Sequence, residues 1–324
     1  MKNKMKRMAI FVALILIFGV ALPIMLTACQ ETMEESPADY KRVVVVGVDG
    51  MGAFAQEVPT PNMDRIFANG ATTYTMQSTV PSVSGPSWGS MFYGVDPEVH
   101  GWNNDDMYAN AWFTYFNSIN GNYFAKKHEP EGIYSLFKLV SDAYPGAEQA
   151  AICYFFAIWA YIEYGVNVYL DGYMLNDYGM ISDAVIAGQV LKYLDAGNDP
   201  KFMYVHFDNV DHFGHSDGSA SDIYRQTITE EDGYIGQIYD KYEELGWLED
   251  TLFIVTTDHG HTPEGGHGGL SPEEMNSFLG VAGKTVKNGQ IGDANMKDVA
   301  AVIAHALKIK APDFWTNKLP EGIF

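Results

Sequence analysis

Cysteine is almost missing from this 324-residue sequence: only Cys29 and Cys153 occur. If Cys29 is taken up by lipid attachment, as argued below, no intramolecular disulfide is possible and the fold must rest on its core. Cys153 sits in the apolar stretch 150–156, which fits an inert buried thiol better than a nucleophile. Basic side chains are also scarce, with 20 Lys and Arg against 41 Asp and Glu and a net charge of −21. Such a surface repels nucleic acid and anionic lipid over long range, so no nucleic-acid-binding surface is expected. Most of the charge is what an exported, soluble acidic protein carries. Of the arginines, only Arg42, Arg65 and Arg225 lie beyond residue 28. There is no internal repeat and no low-complexity segment. Ordinary glycine and proline counts (32 and 14) argue against disorder.

What is present begins with a targeting segment. Lys2, Lys4, Lys6 and Arg7 form a basic region, and residues 8–22 form an apolar run too short for a permanent membrane helix. Leu26-Thr27-Ala28-Cys29 then resembles a bacterial lipobox. The expectation is a lipoprotein signal peptide over 1–28, a lipidated Cys29 and an acidic tether over 29–40. An uncleaved anchor or an ordinary secretory signal is the alternative. All of these place the protein outside the cytoplasm. Without residues 1–28 the balance is 16 basic against 41 acidic side chains, or −25. A hydrophobic content of 47% is ample for one large core, so 41–324 is read as a single domain.

Along that domain, apolar strands alternate with helical patterns. Residues 42–48 are a near-continuous β-branched run, expected as a central parallel strand. Residues 60–66 open a short helix with Pro61 in its first turn. Strands are expected over 71–76, 150–156, 202–207 and 252–256. Helices are expected within 81–94 and over 132–144, 182–194, 223–245 and 296–309. The alternation predicts an α/β layered fold, in which sites form beyond the carboxyl ends of strands. Asp49, Asp211 and Asp258 all fall there.

Six of the nine histidines lie between His206 and His267. Together with the aspartates they offer the oxygen and imidazole donors that hold Zn²⁺ or Mn²⁺. Asp258 and His259 end a strand before Gly260, where the chain can turn both toward one ion. Asp211 and His215 stand four apart; one helical turn or a compact loop brings them together, and Gly214 favours the loop. His267 lies in Gly-Gly-His-Gly-Gly, whose backbone can approach an ion or substrate closely. His261 is expected around the ligands or against substrate, His212 around the ligands, and His206 packed or hydrogen-bonded within its strand. Ser84, in Val-Pro-Ser-Val-Ser-Gly-Pro-Ser-Trp-Gly-Ser, is placed near a helix N-terminus by Pro86. It either caps that helix or, activated there, serves as nucleophile. Ser82, Ser87 and Ser90 compete on composition alone. Trp88, Trp102 and Tyr108 are either core residues or a stacking surface.

Together these residues resemble the alkaline phosphatase superfamily, most closely its type I phosphodiesterase/nucleotide pyrophosphatase branch, over roughly 42–308. The matching motifs are Val-Asp-Gly at 48–50 and Thr-Pro-Asn-x-Asp-Arg at 60–65, the latter shared with sulfatases. Ser84 is followed by Gly-x-x-Pro-x-x-His-Gly through Gly94, Pro97, His100 and Gly101. Asp211 and His215 match an Asp-x-x-Gly-His pair, Asp258 and His259 an Asp-His-Gly pair, and His267 the last metal histidine. The resemblance implies an alkaline-phosphatase-like fold with a mostly parallel central sheet and helices on both faces. It implies two divalent ions, zinc with manganese as alternative. One is held by Asp49, Asp258, His259 and the Ser84 oxygen, the other by Asp211, His215 and His267. An asparagine that holds a phosphoryl oxygen falls at Asn104 or Asp105, and Asn104 is preferred because an aspartate would repel phosphate.

The implied activity is hydrolysis of phosphodiester or pyrophosphate bonds through Ser84, on a nucleotide or a phospholipid or glycan head group. A diester is preferred because no arginine adjoins Ser84 to meet a monoester's extra charge. Sulfatases carry an arginine where Trp88 stands here, which argues against sulfatase activity. The placement of His267 also looks like that of ethanolamine-phosphate transferases, so a phosphotransferase is the alternative. A phosphomonoesterase or a non-enzymatic surface lipoprotein stands further off.

Overall fold

A computed structural model describes residues 39–120, 128–172 and 183–324. The signal peptide, Cys29 and the tether lie outside the described residues. In chain order the strands are β1 (Arg42–Val48), β2 (Ala71–Gln77), β3 (Gln149–Cys153), β4 (Tyr169–Gly172), β5 (Phe202–Phe207), β6 (Thr251–Thr256), β7 (Asn276–Ala282) and β8 (Gly289–Gln290). The longer helices are α1 (Pro61–Phe67), α2 (Ser84–Tyr93), α3 (Asn104–Asn120), α4 (Leu136–Ala143), α5 (Asp183–Asp195), α6 (Asn209–Asp217), α7 (Asp222–Glu244) and α8 (Asp298–Leu307). All eight strands form one sheet in the order β4-β3-β5-β1-β6-β7-β2-β8.

β1 is buried along its whole length, as its Val-Val-Val-Val run demands of a strand covered on both faces. It pairs in parallel with β5 and β6, Val46 lying beside Val205 and Val255. β3 and β4 extend the parallel half. β7 runs antiparallel to both β6 and β2, so the sheet is mixed but mostly parallel. α2, α4 and α8 pack together on one face, while α1, α5, α6 and α7 pack on the other. The α/β architecture expected from the sequence is what forms.

Three expectations fail locally. The helix expected over 132–144 is only Leu136–Ala143; Gly132 has φ +75°, and Ser135 caps the helix by accepting from the Lys138 N–H. The strand expected over 150–156 ends at Cys153, and the chain enters a 3₁₀ turn at Phe156–Tyr161. The Asp211–His215 segment is the helix α6, not a loop. Gly214 is there for space. A Cβ on it would fall 2.3 Å from His261 Cδ2, so glycine lets the imidazole lie against the helix.

Candidate metal-dependent active site

Because β1, β5 and β6 are adjacent and parallel, their carboxyl ends open side by side. Asp49 follows β1, Asp208 and α6 follow β5, and Asp258-His259 follow β6. Backbone bonds lock the three ends together. The Asp49 N–H donates to Phe207 O (2.9 Å) and the Gly50 N–H to Asp258 Oδ1 (3.1 Å). Thr257 Oγ1 accepts from the N–H groups of Met51 and Gly52. Gly50 has φ +68°, and a Cβ there would come within 2.8 Å of both Asp211 Cα and His261 Nε2. The glycine of Val-Asp-Gly is thus needed for conformation and for close approach.

Asp49, Asp258 and His259, all buried, form one group whose donor atoms lie within 4.8 Å of one another. His259 Nε2 is 3.3 Å from Asp258 Oδ2 and 3.5 Å from Asp49 Oδ1. Its Nδ1 faces Gly260 O at 3.2 Å, a contact that puts the proton on Nδ1 and the Nε2 lone pair toward the carboxylates. Ser84 Oγ joins this group, donating to Asp49 Oδ1 at 3.3 Å and lying 3.3 Å from His259 Nε2. Ser84 is the first residue of α2; the cap position is Val83, so its hydroxyl is not consumed in capping. The three rival serines point elsewhere. Ser82 Oγ donates to Gly269 O, Ser87 Oγ to Asp258 O, and Ser90 Oγ contacts His100 Nε2.

A second group gathers Asp211, His259, His261 and His267 within the same 4.8 Å. His261 is buried and its Nε2 lies 2.8 Å from Asp211 Oδ1, in direct contact with a proposed ligand. His267 Nδ1 donates to Ser82 O (2.8 Å), leaving the Nε2 lone pair facing inward. His215 Nε2 lies 3.1 Å from that atom and 3.4 Å from Asp211 Oδ2, on the solvent side of the group. His212, expected around the ligands, is instead exposed on α6 and belongs to neither group. The Gly-rich loop is held by Glu274, which accepts from the Gly269 N–H (2.7 Å), and by Ser82, which accepts from the Gly268 N–H.

Two residues around Asp49 carry more than the sequence suggested. The Trp88 indole N–H donates to Asp49 Oδ2 (2.9 Å), so this wholly buried tryptophan packs in the core and orients a carboxylate. His206 contacts Tyr204 OH within its strand (2.9 Å), and its Nε2 lies 3.3 Å from Asp49 Oδ2 and 3.8 Å from Asp208 Oδ1. The sequence signal for it was membership in the histidine cluster; its partner on the adjacent strand follows only from register. Trp102 is core, and Tyr108 is partly exposed beside Phe155. Asn104, the first residue of α3, accepts the Gly85 N–H on Oδ1 at 2.7 Å, next to Ser84; Asp105 is exposed.

The electrostatics fit a divalent cation. Burial raises the Asp258 carboxyl well above its ordinary value, and the Asp49 charge raises it further. The same two causes lift Asp211 to about 8. Burial opposes ionisation of Asp49 too, but hydrogen bonding to His206, the nearby imidazoles and the Trp88 N–H outweigh it and hold this carboxyl low. Burial pushes His259 well down, and burial with the neighbouring imidazoles brings His215 to about 4. His259 and His215 are therefore neutral imidazoles beside mutually repelling carboxylates, a state that a bound cation relieves. Asp258 Oδ2 is buried with no hydrogen-bond donor, an orphan acceptor in the middle of the first group. The donor set, His and Asp without thiolate, suits Zn²⁺ or Mn²⁺. Arg42 pairs with Asp199, Arg65 with Asp240 and Arg225 with Glu57, all away from Ser84.

Residues 43–318 match the family described as type I phosphodiesterase / nucleotide pyrophosphatase. The chain belongs to this family. Among curated relatives, the bis(5'-adenosyl)-triphosphatase ENPP4 of Bos taurus is 22% identical over 241 residues, 74% of this chain and 51% of that protein. The GPI ethanolamine phosphate transferase 2 of Kluyveromyces lactis is 36% identical over 91 residues, 28% of this chain and 11% of that protein. The chain thus spans about half or less of these relatives' own length. Among solved structures, murine ectonucleotide pyrophosphatase / phosphodiesterase 5 superposes with a TM-score of 0.62 at 16% identity, covering 84% of this chain and 96% of that one. That likeness establishes the shared alkaline-phosphatase-like fold of this phosphodiesterase family member.

Proposed function

We propose that the protein hydrolyses a phosphodiester or pyrophosphate bond of a small molecule such as a nucleotide or a head group, using Ser84 as nucleophile beside two divalent ions. The observation that carries this reading is the position of Ser84 Oγ, 3.3 Å from both Asp49 Oδ1 and His259 Nε2 at the first residue of a helix. Asp49, Asp258 and His259 would hold one ion with the serine oxygen; Asp211, His267 and His215 would hold the other. Bound there, such ions would lower the pKa of a nearby hydroxyl and share charge developing on the phosphoryl oxygens. The chain's own groups do the rest. The N-terminus of α2 favours negative charge at Ser84 Oγ. Attack of that oxygen on phosphorus forms the Ser84–O–P bond and releases the leaving alcohol or phosphate; water then cleaves the serine ester and regenerates the hydroxyl. Asn104, fixed through Oδ1 by the Gly85 N–H, is left with its Nδ2 hydrogens for a phosphoryl oxygen. Arg42, Arg65 and Arg225 each pair with a carboxylate outside the two groups, which suits a diester monoanion better than a monoester dianion.

A panel of p-nitrophenyl esters tests this: phosphate, phenylphosphonate, bis-phosphate, nucleoside monophosphate and sulfate, each with and without chelator. The diesters should turn over best, and chelator and Ser84→Ala should each abolish turnover. Preference for the phosphate monoester would reject the diester assignment, and full activity of Ser84→Ala would reject the nucleophile. The local match to an ethanolamine phosphate transferase favours a second reading, transfer of the phosphoryl group to an alcohol. Adding an alcohol acceptor and analysing the products separates transfer from hydrolysis. We also propose attachment to a membrane through lipid on Cys29, outside the cytoplasm. Cys29→Ala should then move the protein from the membrane pellet to the soluble fraction; unchanged pelleting would refute it.

A further inference from the structure

The helix α6, which carries Asp211 and His215, begins without a cap of its own. Its cap residue, Asp208, makes no side-chain capping bond. The first N–H groups of a helix need acceptors from elsewhere. Here the first two find one on a distant helix, which a second helix backs. Asp183, at the start of α5, accepts through one oxygen, Oδ2, from the N–H groups of both Asp208 (3.0 Å) and Asn209 (2.8 Å). Glu231, in the middle of α7, brings its carboxyl against that of Asp183. Both side chains are fully buried. Asp183 Oδ1 and both Glu231 oxygens have no N–H or side-chain donor within ordinary hydrogen-bond geometry.

We propose that Asp183 and Glu231 are positioning residues for the Asp211–His215 half of the site. They act as a carboxylate–carboxylic acid pair that shares one proton and replaces the missing cap of α6. Two buried carboxyls in contact cannot both be ionised without a cation between them. The charged neighbour that acts on both carboxyls, Asp208, is itself an anion. Burial raises both groups, Asp183 to about 7 and Glu231 well beyond the carboxylate range, consistent with the proton resting on Glu231. Asp211 follows Asn209 by two residues, so a shift in the first turn of α6 displaces its carboxylate directly. This inference rests on the two-ion reading of the site above.

The test compares wild type with Asp183→Ala, Asp183→Asn, Glu231→Ala and Glu231→Gln, by amide hydrogen exchange in chelated protein and by Zn²⁺ titration against a chromogenic chelator. Asp183→Ala should speed exchange at residues 208 and 209. It should also weaken one of two Zn²⁺ ions about tenfold or more, the usual effect of removing a group that orients a ligand, while leaving the other ion within about twofold. Asp183→Asn keeps an acceptor and Glu231→Gln keeps a donor to Asp183, so both should stay near wild type. If Asp183→Ala does not fold, Glu231→Ala, which removes the partner that holds Asp183, carries the same expectation at residues 208 and 209 and for the same ion. Unchanged exchange and two wild-type Zn²⁺ affinities in the alanine variants would overturn the proposal. So would loss of protection at 208 and 209 in chelated wild type, which would mean that a cation bridges the pair. Wild type that binds no Zn²⁺ would overturn the two-ion function, while the exchange arm still decides the capping claim.

Discussion

In the proposed mechanism Ser84 would supply the reacting oxygen and Asn104 an amide held beside it. The Gly85 N–H spends its one hydrogen on Asn104 Oδ1, and this orients the amide without engaging Nδ2. Asn104→Ala should therefore lower kcat by about 10²–10³-fold, the range seen when one donor to a developing oxyanion is lost. KM and Zn²⁺ content should barely change. A steady-state assay with metal analysis checks it; a purely structural role would lower stability and metal content and spare kcat per bound metal. Residue motifs were the most legible part of the sequence, because Asp49, Ser84, Asp211, Asp258, His259 and His267 are motif positions. The supports were less legible. Trp88 and His206 meet Asp49 only because α2 packs over β1 and β5 lies beside it, which no local spacing records.

At the scale of elements, the buried parallel strands announced themselves as unbroken β-branched runs. Elements whose composition argues against them did not. α3 reads Asn-Asp-Asp-Met-Tyr-Ala-Asn-Ala-Trp-Phe-Thr-Tyr-Phe-Asn-Ser-Ile-Asn, rich in poor helix formers, and it is stabilised by packing on the 3₁₀ turn at Phe156–Tyr161. β7 contains Asn, Ser and Gly and escaped notice for the same reason. α6 was masked by Gly214, whose low propensity is outweighed by the room it gives His261. Gly214→Ala puts these two effects in direct opposition. Alanine gains about 1 kcal/mol of helix propensity. Its Cβ would meet three ring atoms of the buried His261 at 2.3–2.6 Å, and overpacking of this kind costs about 1–3 kcal/mol. The variant should be net destabilised, or should displace His261 and weaken Zn²⁺ binding. Denaturant unfolding and Zn²⁺ titration would show it, and a variant more stable than wild type with unchanged affinity would contradict the packing role.

For the whole molecule, stability against acid is where a single buried group has a global readout. His100 accepts the Trp102 N–H on Nδ1 (2.9 Å) and faces Ser90 Oγ through Nε2, so the neutral ring is built into the fold. Burial, with a smaller contribution from His128, lowers it from 6.5 to about 3. The folded chain then binds fewer protons than the unfolded chain between those values. Its contribution is complete above pH 6.5 and declines as pH falls toward 3, by about 1.4 kcal/mol per pH unit. Carboxyls raised by burial, such as Asp211 and Asp258, titrate with the opposite sign. The isolating quantity is therefore the pH slope of wild-type unfolding free energy minus that of His100→Gln. Parallel slopes below pH 6.5 would refute the assignment.

Anomalous diffraction at the zinc edge, on crystals equilibrated with Zn²⁺, addresses the proposed two-ion centre most directly. Two peaks about 4 Å apart are expected, one among Asp49, Asp258, His259 and Ser84 Oγ, the other among Asp211, His267 and His215. A single peak, or peaks remote from Ser84, would contradict it.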